Sequence, residues 1–275
     1  MKKNTPAAIV LMLSLISIVA FSVSCKKEKE PDDELIGYEV GQFESITSDV
    51  DNMVGQVCQG NGDINQKIAS SGNQFGFSGC ALVTHDSANH HITIDFGSGC
   101  TGLDGRVRAG KIQVDYSGNY FVQGSSHIVT LDSFYVDSKR LQGSRIITNR
   151  GLNSSSLMYW TVEATNMKLT STDGYWRSWS SNRHRELLSG GGDNQWANDV
   201  YRINGSADGT NSNGFDFTIM INDLVRDNSC HWITSGSIAI TPSNRITRTI
   251  DFGNGSCDDQ ATVTVGSKTT SISLR

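Results

Sequence analysis

The chain has 275 residues, of which 19% are charged and 37% hydrophobic, with 28 acidic residues against 23 basic ones. A net charge of −5 excludes the basic surface that phosphate binding needs, so no nucleic-acid partner is expected. Only three prolines are present, and abundant Gly, Ser, Thr and Asn separate short apolar runs, which is the composition of strands joined by turns.

The N-terminus reads as an export signal. Lys2 and Lys3 precede an apolar run from Ala7 to Val23 that ends in Ser22-Val23-Ser24-Cys25. A basic start, a short apolar core and small residues at a boundary make a signal peptide over residues 1–24 rather than a spanning helix. Small residues directly before Cys25 resemble a lipobox, although Ser22 stands where leucine is usual. The cleaved chain would then carry acyl chains, palmitate among them, on Cys25; the plainer reading is an ordinary signal peptide with a structural Cys25. Losing Lys2 and Lys3 leaves 21 basic residues against 28 acidic ones, a net of −7. Residues 25–36 follow as a charged tether, since KKEKEPDDE can bury almost nothing. Lys26 stands where inner-membrane lipoproteins often carry aspartate, and charged runs like this one resemble surface-export signals. An address-free spacer explains them equally.

An amphipathic helix is expected over residues 37–62. Val40, Phe43, Ile46, Val50, Met53 and Val57 recur at steps of three and four, and Gly60-Asn61-Gly62 stops the pattern. The opposite face carries Glu39, Glu44, Asp49 and Asp51, which anionic lipid would repel, so the stripe should pack on a sheet.

Residues 63–275 read as a single antiparallel β domain. His91 to Phe96 alternates, with Ile92, Ile94 and Phe96 on one face, and similar alternation recurs at 111–116, 237–240 and 261–265. No crossover helices interrupt the strands, so the order is that of a meander, closed as a curved open sheet, a half-barrel or a sandwich. The phrase TIDFG occurs twice, at Thr93–Gly97 and Thr249–Gly253, each time with a cysteine a few residues later. Each copy ends a hairpin, the first turning at Asp86–Asn89 and the second at Pro242–Asn244. Asp before Phe-Gly suits a corner in which the carboxylate accepts backbone N–H bonds and glycine takes positive φ. The second hairpin brings Cys230 roughly opposite Cys257, predicting a disulfide. The same counting sets Cys80 opposite Asp95, leaving the pairing of Cys58, Cys80 and Cys100 open.

The stretch TIDFGSGCTGLDGRVRAGKIQVDYSGNY (93–120), IITNRG (146–151) and TIDFGNGSCDD (249–259) resemble a group of outer-membrane lipoproteins of Bacteroidetes. The resemblance implies outer-membrane localisation, facing either the surface or the periplasm, and an all-β domain; it carries no catalytic residue.

Signals of chemistry are few. His85, His90 and Asp86 flank one turn, but exposed tips collect polar residues and the spacing matches no zinc motif, so no metal site is assigned. Asp95, Asp104, Asp251, Asp258 and Asp259 border the glycine corners and offer some of the oxygens calcium takes, without the spacing of a calcium loop. Calcium is thus a minor alternative to having no cofactor. No Gly-x-Ser-x-Gly elbow occurs, and no catalytic residue is assigned. Tyr175, Arg177, Trp179, Arg183 and Arg185 share one face of a strand and form the candidate ligand patch, suited to an acidic sugar. A half-buried stripe with arginines over rings explains the same pattern. Asp86-Ser87-Ala88 resembles an O-glycosylation sequon, making Ser87 a modification candidate. The expected role is a non-catalytic binding or envelope-structural lipoprotein recognising a glycan or a protein. A binder of lipid or another apolar ligand is the alternative, and a hydrolase the third reading.

Overall fold

The computed structural model describes residues 33–59 and 80–274, except 192 and 194, with side chains from Phe43 onward. The signal peptide, Cys25 and most of the tether lie outside the described residues, as does 60–79. One helix, α1 (Asp33–Gln59), precedes the sheet. It begins four residues before the expected start, inside the charged run, because acidic residues at 33 and 34 favour a helix N-terminus.

The strands are β1 (Leu82–Asp86), β2 (His91–Asp95), β3 (Cys100–Thr101), β4 (Val107–Tyr116), β5 (Ser126–Val136), β6 (Lys139–Leu152) and β7 (Met158–Thr170). They continue as β8 (Trp176–Ser189), β9 (Val200–Asn211), β10 (Asp216–Asp227), β11 (Ser235–Pro242), β12 (Arg248–Asn254), β13 (Gln260–Val265) and β14 (Lys268–Ser273). All 14 form one antiparallel sheet in chain order, with only β3 off the path, pairing β4. The meander is therefore open: β1 and β14 are its two edges.

The sheet cannot be flat. From β4 to β14 a flat sheet would span about 48 Å at ~4.8 Å per strand, four times the ~10–12 Å width of a helix. Yet α1 bonds to arginines on β4, β6, β8 and β10 and packs against β12, β13 and β14. The sheet curls around it. Bulges supply the bend, as extra residues on one strand do. Gly110, at φ +82°, has no room for a Cβ, which would stand 1.9 Å from the Ser133 carbonyl oxygen. Gly236 lies in the same way 2.3 Å from the Asp223 oxygen, with φ +95°. Further register shifts lie between Gln142 and Ser144 and between Ala164 and Met167, so most of the long strands are creased.

Curling changes the helix. The described members of the predicted stripe, Phe43, Ile46, Val50, Met53 and Val57, are buried as expected. However, no residue from Phe43 to Gln59 is exposed, and the expected solvated face is inside: Glu44 is 2% exposed and Asp49 7%. The sequence reading assumed a sheet on one side only; a wrapped helix has no outside.

Both TIDFG corners form as predicted. Gly97 N–H donates to Asp95 Oδ1 at 2.8 Å, and Gly253 N–H to Asp251 Oδ1 at the same distance. The Cys230–Cys257 disulfide is present, with Cα atoms 5.7 Å apart. Cys80 bonds Cys100, which the sequence register did not place together. Asp86 pairs with His91, so Leu82 rather than Cys80 faces Asp95. The hairpin closes one residue further along because Asp86 accepts bonds from Asn89 and His90 adopts φ 54°. Beyond the Gly97 corner the chain doubles back, and Cys100 meets Cys80. Cys58 is the free cysteine among the described residues.

Candidate functional site

The five residues of the predicted patch do share a face of the chain at β8, but it is the inner one. Trp179, Arg183 and Arg185 are 3%, 5% and 7% exposed beneath α1. Phe43 meets Trp179 edge-on, ring centroids 4.0 Å apart, and both oxygens of Glu44 accept from the Arg183 guanidinium. Tyr175 and Arg177 stay half-buried, with the Arg177 guanidinium 4.8 Å from the Tyr175 ring centroid. Of the candidate ligand patch, Trp179, Arg183 and Arg185 are thus closed to a ligand from solvent as a stripe facing α1, because the curled sheet turns that face inward, while Tyr175 and Arg177 stay partly accessible.

Inward arginines are not confined to β8. Arg108 on β4, Arg145 on β6, Arg226 on β10 and Arg248 on β12 are all at most 5% exposed. Arg108 donates to Asp49 at 2.8 and 2.6 Å and to Asp104 at 3.0 and 2.6 Å. These bonds hold the Asp104 carboxyl below its usual range despite burial, which pushes the other way. Arg145 bonds Asp51 and the Thr47 carbonyl. Three acids of the helix are therefore met by three arginines of alternate strands, as buried charges require.

At one rim the curled sheet leaves a cleft of ≈ 540 Å³. Its walls are loops: Leu103–Arg106 before β4, Asp137 and Lys139 at the β5–β6 turn, and His231-Trp232 before β11, with Ile46 and Leu274 beneath. Both disulfides lie close to it in the chain, since Cys100 stands three residues before Leu103 and Cys230 directly before His231. Arg226 donates to the Trp232 carbonyl at 2.7 Å, and the His231 ring meets the Trp232 ring edge-on at 4.5 Å. Arg106 Nη2 donates to Ser45 Oγ at 2.6 Å. Burial, and then the neighbouring Arg106 charge, lower the pKa of His231, so its imidazole is neutral at neutral pH. The cleft combines an indole, a guanidinium, an ammonium and a neutral imidazole with two carboxylates, Asp104 and Asp137. Arg108 neutralises Asp104, and Asp137 accepts from Val107 N–H. The first four groups suit a ring bearing an anionic substituent.

Elsewhere, Ser87 is exposed on the first hairpin turn, as an acceptor must be. His85 Nε2 lies 2.6 Å from the Tyr116 hydroxyl, and His90 stacks on that same ring at 5.1 Å. The acids of the glycine corners are engaged internally: Asp95 also pairs with Lys111 at 2.9 Å, Asp258 accepts from Gln260 N–H, and Asp259 from Gln260 and Ser273. Among the described residues no three His, Cys, Asp or Glu are grouped closely enough to hold a metal ion. Burial pushes the Cys58 thiol up to about 12, leaving it protonated and unreactive.

Sequence reading missed Arg106, Lys139, His231 and Trp232. The adjacent His231-Trp232 directly after a disulfide cysteine was the one available signal. The rest converge only once loops far apart in the chain, at 103–106, 137–139 and 231–232, meet at the rim. No protein-family model matches the chain, and comparison with curated proteins and with solved structures finds no match either.

Proposed function

We propose that the protein is an exported, lipid-anchored binding module of a bacterial outer membrane that takes an anionic glycan in the rim cleft, without catalysis. The carrying observation is Trp232 beside Arg106 and Lys139 in a cleft of ≈ 540 Å³. A sugar ring stacks on the indole, and its carboxylate or sulfate meets the cations. Two disulfides favour an oxidising compartment, which supports export of the chain. The reading is favoured over the alternative, a lipid in the concave face, because α1 packs there and the two recesses beside the helix measure ≈ 20 Å³ each.

A hydrolase finds one suggestive geometry. His91 Nδ1 lies 2.6 Å from Asp115 Oδ1, and its Nε2 3.1 Å from Thr93 Oγ1. That line sits on the outer sheet face with Asp115 59% exposed, and none of the cavities described here borders it. Nothing there excludes water or offers donors to an oxyanion, so the arrangement is a surface pair on a strand.

The test is titration calorimetry with polygalacturonate and chondroitin sulfate against neutral dextran. Trp232→Ala should weaken binding of the acidic polymers about tenfold or more, as loss of a central aromatic anchor does. Tyr175→Ala should leave it unchanged. Equal affinity of Trp232→Ala and wild type would remove the cleft from consideration. Protease shaving of intact cells then decides orientation: release of the domain places it on the surface, and protection places it in the periplasm.

A further inference from the structure

We propose that the recess between α1 and strands β8 to β10 binds a small inorganic anion, chloride in size, between the Arg185 and Arg226 guanidiniums. Arg108, Arg145 and Arg183 pair with carboxylates around the helix, whereas Arg185 and Arg226 make no described hydrogen bond to one. Arg185 is 7% exposed, and its Nε and Nη2 have no hydrogen-bond partner. Its guanidinium instead lies 4.9 Å from the Tyr201 ring centroid and 5.5 Å from that of Trp160. Ring faces attract the cation but accept none of those N–H bonds, so donors are left aimed at space. Arg226 spends its bonds on neutral acceptors, the Trp232 carbonyl and Asn52 Oδ1.

Both guanidiniums line one recess of ≈ 20 Å³, closed on the helix side by Ser48 and Asn52. That is room for a single water-sized species, which needs roughly 10–15 Å³, and too little for a sugar or a phosphate ester. Glu44 and Asp51 also border the recess, but Arg183 and Arg145 already neutralise them. Two buried cations facing one small polar space, neither of them hydrogen-bonded to a carboxylate, is the arrangement that retains an anion, because buried charges persist only when compensated. This site is separate from the glycan cleft in size and in ligand, and stands or falls without it.

Two measurements on the purified protein test it. Melting temperature is recorded against sodium chloride at constant ionic strength made up with sodium gluconate, an anion too large to enter. A saturating rise with chloride in wild type, absent in Arg185→Met, is expected. Because Arg185→Met can fail to fold, wild-type crystals grown in sodium bromide give the independent readout. An anomalous bromide peak within hydrogen-bond distance of Arg185 Nε or Nη2 supports the site. A recess without bromide, or a melting temperature indifferent to chloride, overturns it.

Discussion

The two flanks of α1 meet the same residue type on opposite terms. On one, Arg108, Arg145 and Arg183 find Asp49, Asp51 and Glu44, with Asp104 completing the Arg108 pair. On the other, Arg185 and Arg226 face aromatic rings, neutral carbonyls and a recess. The difference teaches that a curled sheet can use its arginines both to fasten a helix inside and to hold open a charged space.

Replacing one paired arginine is the harshest way to probe that contrast. Arg108→Met leaves Asp49 and Asp104 buried without a cation and should cost about 3–5 kcal/mol in urea unfolding. The joint change Glu44→Leu with Arg183→Met removes a whole pair and should stay within about 1 kcal/mol of wild type or exceed it. A joint loss as large as that of Arg108→Met would mean that the pairs stabilise outright rather than merely satisfy each other.

Acid separates the flanks by pH. His127 stacks beside Tyr116 and meets Tyr120, one of the rings under Arg185, and burial depresses its pKa to about 4. The unfolded chain takes up that proton near pH 6.5 and the folded chain only near 4, so stability is full above 6.5 and falls between the two. The loss amounts to about 3 kcal/mol across that window and should vanish in His127→Phe, checked by urea midpoints at pH 7, 5.5 and 4.5. Asp104, depressed below its ordinary 3.8, works in a lower window. Its contribution is present above about pH 4 and is lost only as pH falls through the folded value, so it should govern unfolding below the histidine's range.

Arg226→Met is expected to have the smallest effect. Burial lowers the Arg226 pKa to about 10, the mark of a cation poorly compensated where it sits. Its removal should change the unfolding free energy by no more than about 1 kcal/mol in either direction. A loss matching that of Arg108→Met would erase the distinction between the flanks.

Much of the architecture was legible in the residues. Alternation marked β2 and β13, the repeated TIDFG phrase marked two corners that form with the same Asp-to-glycine bond, and counting across the second turn found Cys230 and Cys257. These signals are local, since strand period and turn chemistry act within a few residues. The first hairpin misled because a four-residue turn has two registers one step apart, and Asp86 with His90 selects between them.

The aromatic-arginine face of β8 was legible as a stripe and illegible as an interior. Tyr175 to Arg185 carries the same alternation whether its face meets solvent or a helix. By itself the sequence determined the strands, the corners, one disulfide and the apolar stripe of α1. Only the tertiary structure decided that the sheet curls, that Glu44 and Asp49 are buried, and that Arg106, Lys139, His231 and Trp232 share a rim. The physical reason is that curvature accumulates from bulges on many strands. Gly110 and Gly236 look like turn residues in sequence, and only contact with Ser133 and Asp223 across the ladder makes them creases.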